Sequence, residues 1–307
     1  MSTNKTYLII GASGFVGRAM NNFLQQVNVS VKLLVRRKIK NNTNDQFIFK
    51  SIKDIKPSVF SGVDVVIYLI GKAHDLKLKD DLNEYHRINV DLTLEIAKIA
   101  ASCNVSKFIF ISSVKAGIAS CNQPNLVNGH LEKFGNIYGD TKRKAELKLL
   151  DIDKMSSMRV VVLRPALVYG PGQKGNLELM LTGIKKGWFP PLPDIKNKRS
   201  MVHIDNLVDA IFFVSKNSHA NGKIFIIADK KPYSSHEIYN VMRHISGKRI
   251  LKWSVPKFIF DAAALMSPSI KYKLNKLLGS EYYPSKKIEH LGFNPKRTLK
   301  DMNETSF

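Results

Sequence analysis

The chain has 307 residues, with 48 Lys plus Arg against 25 Asp plus Glu, a formal charge of +23. At 44% hydrophobic residues it can bury a substantial core, which excludes a disordered or fibrous chain. Two cysteines, Cys103 and Cys121, exclude a disulfide framework, and neither sits in a C-x-x-C pair of the kind that holds structural zinc.

The start, Met1 to Thr6, is polar and runs straight into Tyr7-Leu8-Ile9-Ile10, too short an apolar run for a signal peptide or a membrane span, so a cytoplasmic protein is expected. Phe258 to Met266, the longest apolar stretch elsewhere, is far short of a span; of the two readings it admits, contact with a membrane surface and a helix face buried in the protein, the buried face is the commoner and is expected. No integral membrane association is expected. Lys and Arg are scattered from Lys5 to Lys300 without a zinc-finger or aromatic RNA-binding motif, so a lysine-rich surface is expected in place of a nucleic-acid interface. His74, His86, His130 and His203 have no ligand spacing, and no metal is expected.

In chain order, Tyr7 to Ile10, Val31 to Val35, Phe47 to Phe49, Val63 to Ile70, Lys107 to Ser112 and Arg159 to Leu163 read as strands, their unbroken apolar character suiting burial on both faces. Gly14 to Gln26, Asp80 to Ser102 and Tyr138 to Asp151 carry helical spacing between them. The alternation predicts an α/β fold, a Rossmann-type doubly wound parallel sheet. After Arg164-Pro165 repeated Gly and Pro suggest loops around a site, with Trp188-Phe189-Pro190-Pro191 either a flap or loop packing. Asp205 to Val214 then reads as a helix and Lys223 to Ile227 as a strand returning to the sheet. From Ser234 the chain is mainly helical. Residues 1–165 with 203–228 are therefore expected to form the cofactor-binding part. Residues 166–202 and 229–307 form a smaller, mainly helical C-terminal substrate-binding part.

Gly11-Ala12-Ser13-Gly14-Phe15-Val16-Gly17 leaves the first strand and opens the first helix, the context a dinucleotide fingerprint requires. A pyrophosphate must approach backbone N–H groups at the helix N-terminus, where a Cβ would intrude and the helix dipole favours negative charge. About 20 residues further on, where an acidic residue would bind the adenosine ribose of NAD, stands Arg36, followed by Arg37. A guanidinium cannot accept from ribose hydroxyls but pairs with a 2′-phosphate, so NADP(H) is expected over NAD(H).

Tyr138 and Lys142 lie four apart at the start of a helical segment, hence on one face, and follow a strand ending in Ser112-Ser113. Lowering a phenol from a pKa of ~10 to ~7 needs about 4 kcal/mol, the size of one cation contact at ~4 Å in an effective dielectric constant of ~20. Lys142 is accordingly expected to acidify Tyr138 while Ser113 orients the substrate oxygen.

These residues resemble the extended short-chain dehydrogenase/reductase family, which contains nucleotide-sugar epimerases, dehydratases and 4-ketoreductases. The resemblance runs through the glycine loop, Asp64-Val65-Val66, Asn89-Val90, Ser112-Ser113, Tyr138 with Lys142, Arg164 to Gly172, and Leu291-Gly292-Phe293. The subgroup it is most similar to forms UDP-N-acetylquinovosamine by reducing a UDP-4-keto-6-deoxy-N-acetylhexosamine. It implies Ser113, Tyr138 and Lys142 as catalytic residues. It places Gly11, Ser13, Gly14, Phe15, Val16, Gly17, Arg36, Arg37, Leu69 and Lys142 around the cofactor, and Asn176 and Arg199 on the nucleotide-sugar substrate, Arg199 at its diphosphate. A homodimer through residues 91–102 and 139–151 and a role in surface polysaccharide biosynthesis are implied too. Two departures stand out: Lys72 in the usual alanine-rich turn, and no second phosphate-binding arginine around Glu281 to Lys286. The alternatives are an NAD-retaining 4-epimerase and a non-catalytic NADP(H)-sensing protein.

Overall fold

The computed structural model describes residues 5–40, 42–73, 82–117, 137–173 and 175–303. Met1, His74, Asp80, Cys121 and His130, named above, lie outside them. The first half alternates as the apolar runs require: β1 (Thr6–Ile10), α1 (Phe15–Gln26), β2 (Ser30–Val35), β3 (Asp45–Ile48), β4 (Val65–Tyr68), α2 (Leu82–His86), α3 (Leu92–Ser102), β5 (Lys107–Ile111), α4 (Ile137–Met155) and β6 (Arg159–Pro165). Then come β7 (Leu167–Tyr169), α5 (Asn176–Lys186), β8 (Met201–His203), α6 (Ile204–Lys216), β9 (Lys223–Ile227), α7 (Ser235–Ile245), α8 (Lys257–Leu265), α9 (Pro268–Leu278) and α10 (Lys286–Glu289).

Seven strands form one sheet in the order β3-β2-β1-β4-β5-β6-β9, every pair parallel, so the chain winds outward in both directions from β1 and β4. Alternate residues of β1 feed opposite layers: Tyr7 and Ile9 join the core shared with α1 and α6, while Leu8 and Ile10 join the one shared with α3 and α4. A third core gathers Leu177, Met180, Leu181 and Ile184 of α5 with Ile238, Tyr239 and Met242 of α7 and Phe260 of α8.

The segment expected to be loop after Pro165 contains more order than its Gly and Pro suggest. Leu177, Leu181 and Ile184 fall on one stripe of α5, which ends at Gly187 with a left-handed φ of 84°. The glycines punctuate the helix, they do not replace it. Residues 82–102 are also not one regular helix, since Arg87–Asp91 forms a π-helical turn between α2 and α3.

A buried carboxylate ties the sheet to the C-terminal segment. Asp229 Oδ2 accepts from Tyr169 (2.6 Å) and Tyr233 (3.0 Å), and its Oδ1 accepts from Asn206 Nδ2 (2.7 Å) and the His203 backbone (3.0 Å). Asn206 in turn donates to the Arg297 carbonyl and accepts from the Lys296 and Arg297 backbone. Removing the acceptor strands several buried donors, each of which loses its partner without regaining water. Asp229→Ala should therefore cost about 3 kcal/mol of stability in denaturant unfolding; a loss indistinguishable from zero contradicts this account of the network.

Candidate active site

Parallel registry decides where the nominated residues meet. Ile10 pairs with Leu34 and Tyr68, and Tyr68 pairs with Phe110, so the residues that leave β1, β2, β4 and β5 emerge along one carboxyl edge. That edge, at the point where strand order reverses, is where open α/β sheets bind ligands. Gly11, Arg36, Leu69 and Ser113 all follow those strand ends.

Gly11 has φ +95°, a conformation that L side chains rarely adopt, and Gly14 N–H donates to its carbonyl (3.0 Å). A Cβ on Gly17 would lie 2.3 Å from the Gly11 carbonyl oxygen and 2.7 Å from Ala12 Cα, so helix and turn can approach this closely only with glycine there. The N-cap of α1, Gly14, offers no side-chain acceptor, and the first turn carries no acid. Its orphan N–H groups and positive dipole end are therefore left for an external anion. This cradle fits a dinucleotide pyrophosphate. Ser13 and Gly14 are exposed at the turn, and Phe15 and Val16 are half-buried. Arg36 and Arg37 are both exposed just past β2.

Lys142 is buried. Its ammonium donates to the Ile111 carbonyl (3.0 Å) and the Ile70 carbonyl (3.4 Å), and it lies 4.6 Å above the centre of the Phe110 ring. Desolvation lowers its pKa to about 7, against the opposing pull of Glu146. Gly71 makes room for it: a Cβ there would stand 2.8 Å from Nζ. Tyr138 shares a hydrogen bond with the Ser113 hydroxyl, so the two nominated hydroxyls do meet. Burial, however, raises the Tyr138 pKa, the Ser113 hydrogen bond opposing it only in part. The expectation that Lys142 acidifies this phenol is corrected by the structure: the ammonium is engaged by strand-end carbonyls, and desolvation of Tyr138 prevails.

The neighbouring serines divide their labour. Ser112 is buried and donates to Glu146 Oε1 (2.5 Å), while Ser113 faces Tyr138. Glu146 is also gripped by Arg164 through Nε (2.9 Å) and Nη2 (2.5 Å) and by Arg143 (3.2 Å). Lys72, the departure in the turn after β4, pairs with Glu84 and lies 5.1 Å over the Tyr85 ring.

Sequence reasoning named Asn89 without its role and missed Lys115. Asn89, in the π-helical turn, donates to Thr141 Oγ1 (3.0 Å) and to the Lys72 carbonyl (3.1 Å) and accepts from Lys72 N–H (2.8 Å), which joins α4 to the turn after β4. Lys115, two residues past Ser113, bonds Glu281 at 2.8 Å and so closes the C-terminal segment onto the site. Arg199 lies in that segment: its backbone pairs with Tyr233, and Nη1 donates to the carbonyls of Lys276 (2.5 Å) and Gly279 (3.1 Å). Asn176 is exposed at the first turn of α5. The structure thus brings Ser113 and Tyr138 into hydrogen-bond contact and buries Lys142 at the strand ends one helical turn further along α4, with Lys115 linked through Glu281 to the segment that carries Arg199.

A parallel sheet in this order with a glycine-lined helix start defines a dinucleotide-dependent α/β enzyme of the extended short-chain dehydrogenase/reductase type. The chain belongs to the NAD dependent epimerase/dehydratase family, whose profile matches residues 7–228. It is 30% identical over 314 residues to UDP-glucose 4-epimerase of Vibrio cholerae, covering 97% of this chain and 93% of that protein. It is 25% identical over 320 residues to N-acetyl-alpha-D-glucosaminyl-diphospho-ditrans,octacis-undecaprenol 4-epimerase of Escherichia coli, covering 96% and 92%. In fold it is similar to UDP-N-acetylglucosamine 4-epimerase from Bacillus cereus, with a TM-score of 0.76 at 17% identity, covering 98% and 94%.

The Lys142 pKa carries a sign that can be tested. A lysine whose folded pKa lies below its unfolded value destabilises the fold fully below the folded pKa, and the penalty fades as pH rises toward the unfolded one. Wild type should therefore gain stability relative to Lys142→Met between pH 7 and about 10. Thermal unfolding of both across that range checks it, and a gap independent of pH contradicts it.

Proposed function

We propose that the protein is an NADP(H)-dependent reductase of a nucleotide-linked 4-keto sugar, of the UDP-4-keto-6-deoxy-N-acetylhexosamine type, serving surface polysaccharide biosynthesis in the cytoplasm. The observation that carries this reading is the hydrogen bond between the Ser113 and Tyr138 hydroxyls at the strand ends where Lys142 is buried. Reduction of a ketone consumes a proton at the developing alkoxide, and a phenol kept protonated is the group that supplies it. Ser113 would hold the sugar oxygen against Tyr138, and Lys142 would restore the phenol's proton and contact the nicotinamide ribose. When bound, the nicotinamide supplies the hydride.

Binding follows from the same geometry. The N–H groups of the turn from Gly11 to Gly17 would hold the pyrophosphate, with Ser13, Phe15, Val16 and Leu69 lining the cofactor. Arg36, supported by Arg37, would pair with the 2′-phosphate, which favours NADP(H) over NAD(H). Residues 1–165 with 203–228 form the cofactor part in this reading, and 166–202 and 229–307 the substrate part, where Arg199 would meet the diphosphate and Asn176 the nucleotide. Leu147, exposed on α4, is apolar surface that a homodimer through α3 and α4 would cover.

A second reading, a 4-epimerase that retains NAD, is favoured by the names of the relatives. The two separate in one assay: a reductase oxidises NADPH stoichiometrically with the keto sugar, whereas an epimerase interconverts C4 epimers with no added reductant. Tyr138→Phe should fold normally and lower turnover about a thousandfold. Arg36→Ala should weaken NADPH binding about tenfold and leave NADH binding unchanged. Tighter binding of NADH than NADPH by wild type overturns the cofactor assignment.

A further inference from the structure

Sequence pattern assigned Phe258 to Met266 to the interior, and the structure places most of it outside. Phe260 alone of α8 is buried, seated in the third core, while Ala263 and Ala264 are half-buried beside it. Phe258, Ile259, Ala262, Leu265 and Met266 recur at i, i+1, i+4, i+7 and i+8, one continuous helix face. That face is turned to the outside: Phe258 is 69% exposed, Leu265 87% and Met266 79%. Trp253, just before α8, and Tyr272, on α9, are also more than half exposed. Folded chains rarely leave such a concentration of large apolar groups uncovered without a partner for it.

The charge around this face identifies the partner. From Lys252 to Ser280, the hairpin and the segment leading into it, there are five Lys and a single acid, Asp261. Asp261 is neutralised on its own helix by Lys257, whose Nζ lies 2.7 and 2.8 Å from the two carboxylate oxygens. Lys252, Lys271, Lys273 and Lys276 are exposed on the same stretch, and Lys276 lies over the Tyr272 ring at 4.5 Å. A second copy meeting this face about a two-fold axis would bring like charges together, on molecules each already carrying +23. An anionic bilayer surface offers the opposite charge and an apolar layer beneath it. Long lysine side chains reach headgroups while Phe, Leu and Met enter the acyl boundary, and Trp and Tyr suit the interface between.

We propose that α8 and α9, with the Trp253 segment, form a peripheral docking surface for anionic lipid bilayers. The hairpin is also joined to the candidate site, because Arg199 donates to carbonyls at the C-terminal end of α9. A docked hairpin is therefore in direct contact with the arm that carries Arg199. The proposal is independent of the chemistry assigned to the site.

The experiment uses the full chain with vesicles of phosphatidylcholine alone or mixed with phosphatidylglycerol, read by co-flotation and by tryptophan emission. Binding should require phosphatidylglycerol, weaken with added salt and shift the emission to the blue. The variant carrying Phe258→Ser, Leu265→Ser and Met266→Ser keeps every charge and should bind at least about tenfold more weakly with unchanged Tm and cofactor binding. Lys271→Gln with Lys273→Gln should also weaken it while leaving the fold intact. Three results overturn the proposal: no association with phosphatidylglycerol vesicles, equal binding by the triple-serine variant, or a concentration-dependent wild-type oligomer that the triple-serine variant dissolves.

Discussion

The site is organised around the burial of one ammonium group. Lys142 would be an expensive guest in the interior, and two strand-end carbonyls and the face of Phe110 make its presence tolerable. Those carbonyls lie at the end of β5 and two residues past β4, so the cation sits where neighbouring parallel strands stop together. The space above it exists because position 71 is glycine. Each of these conditions is set by the sheet, and the chemistry of the cleft inherits its precision from them.

A second buried charge keeps α4 in place. Glu146 lies one helical turn beyond Lys142 and collects hydrogen bonds from Ser112, Arg143 and Arg164. It thereby joins α4 to Ser112 at the end of β5 and to Arg164 of β6. A carboxylate with this many donors is well matched in the interior, whereas the loss of any one partner would leave charge uncompensated. The two serines show how close the alternatives are: successive residues in extended backbone face opposite ways, and one serves the fold while the other faces the cleft.

Much of this was legible in the sequence because parallel sheets announce themselves by short unbroken apolar runs, and because a glycine turn between strand and helix has few other uses. The seven strands of the main sheet and the meeting of Ser113 with Tyr138 followed from such local signals. Less local features escaped. The stripe in α5 was hidden by the glycines on either side of it, although Leu177, Leu181 and Ile184 carried its period. β7 and β8, of three residues each, are too short to leave a pattern. Lys115 with Glu281 and Asn89 with Thr141 are long-range pairs whose partners have no spacing to reveal them. The apolar face of α8 was visible, but an amphipathic period says which residues share a face and not which face meets the protein.

The π-helical turn at Arg87–Asp91 sets a constraint on how this site tolerates change. Such a turn accommodates one more residue than a regular helix allows, and it is this surplus that aims Asn89 at Thr141 and the backbone of Lys72. Deleting a single residue there would let the helix relax to ordinary winding and would remove the bulge that carries Asn89, leaving the flanking helices nearly in phase. The amide would then swing out of reach of both partners. Length at this point of the chain is thus under the same physical constraint as the identity of the asparagine itself.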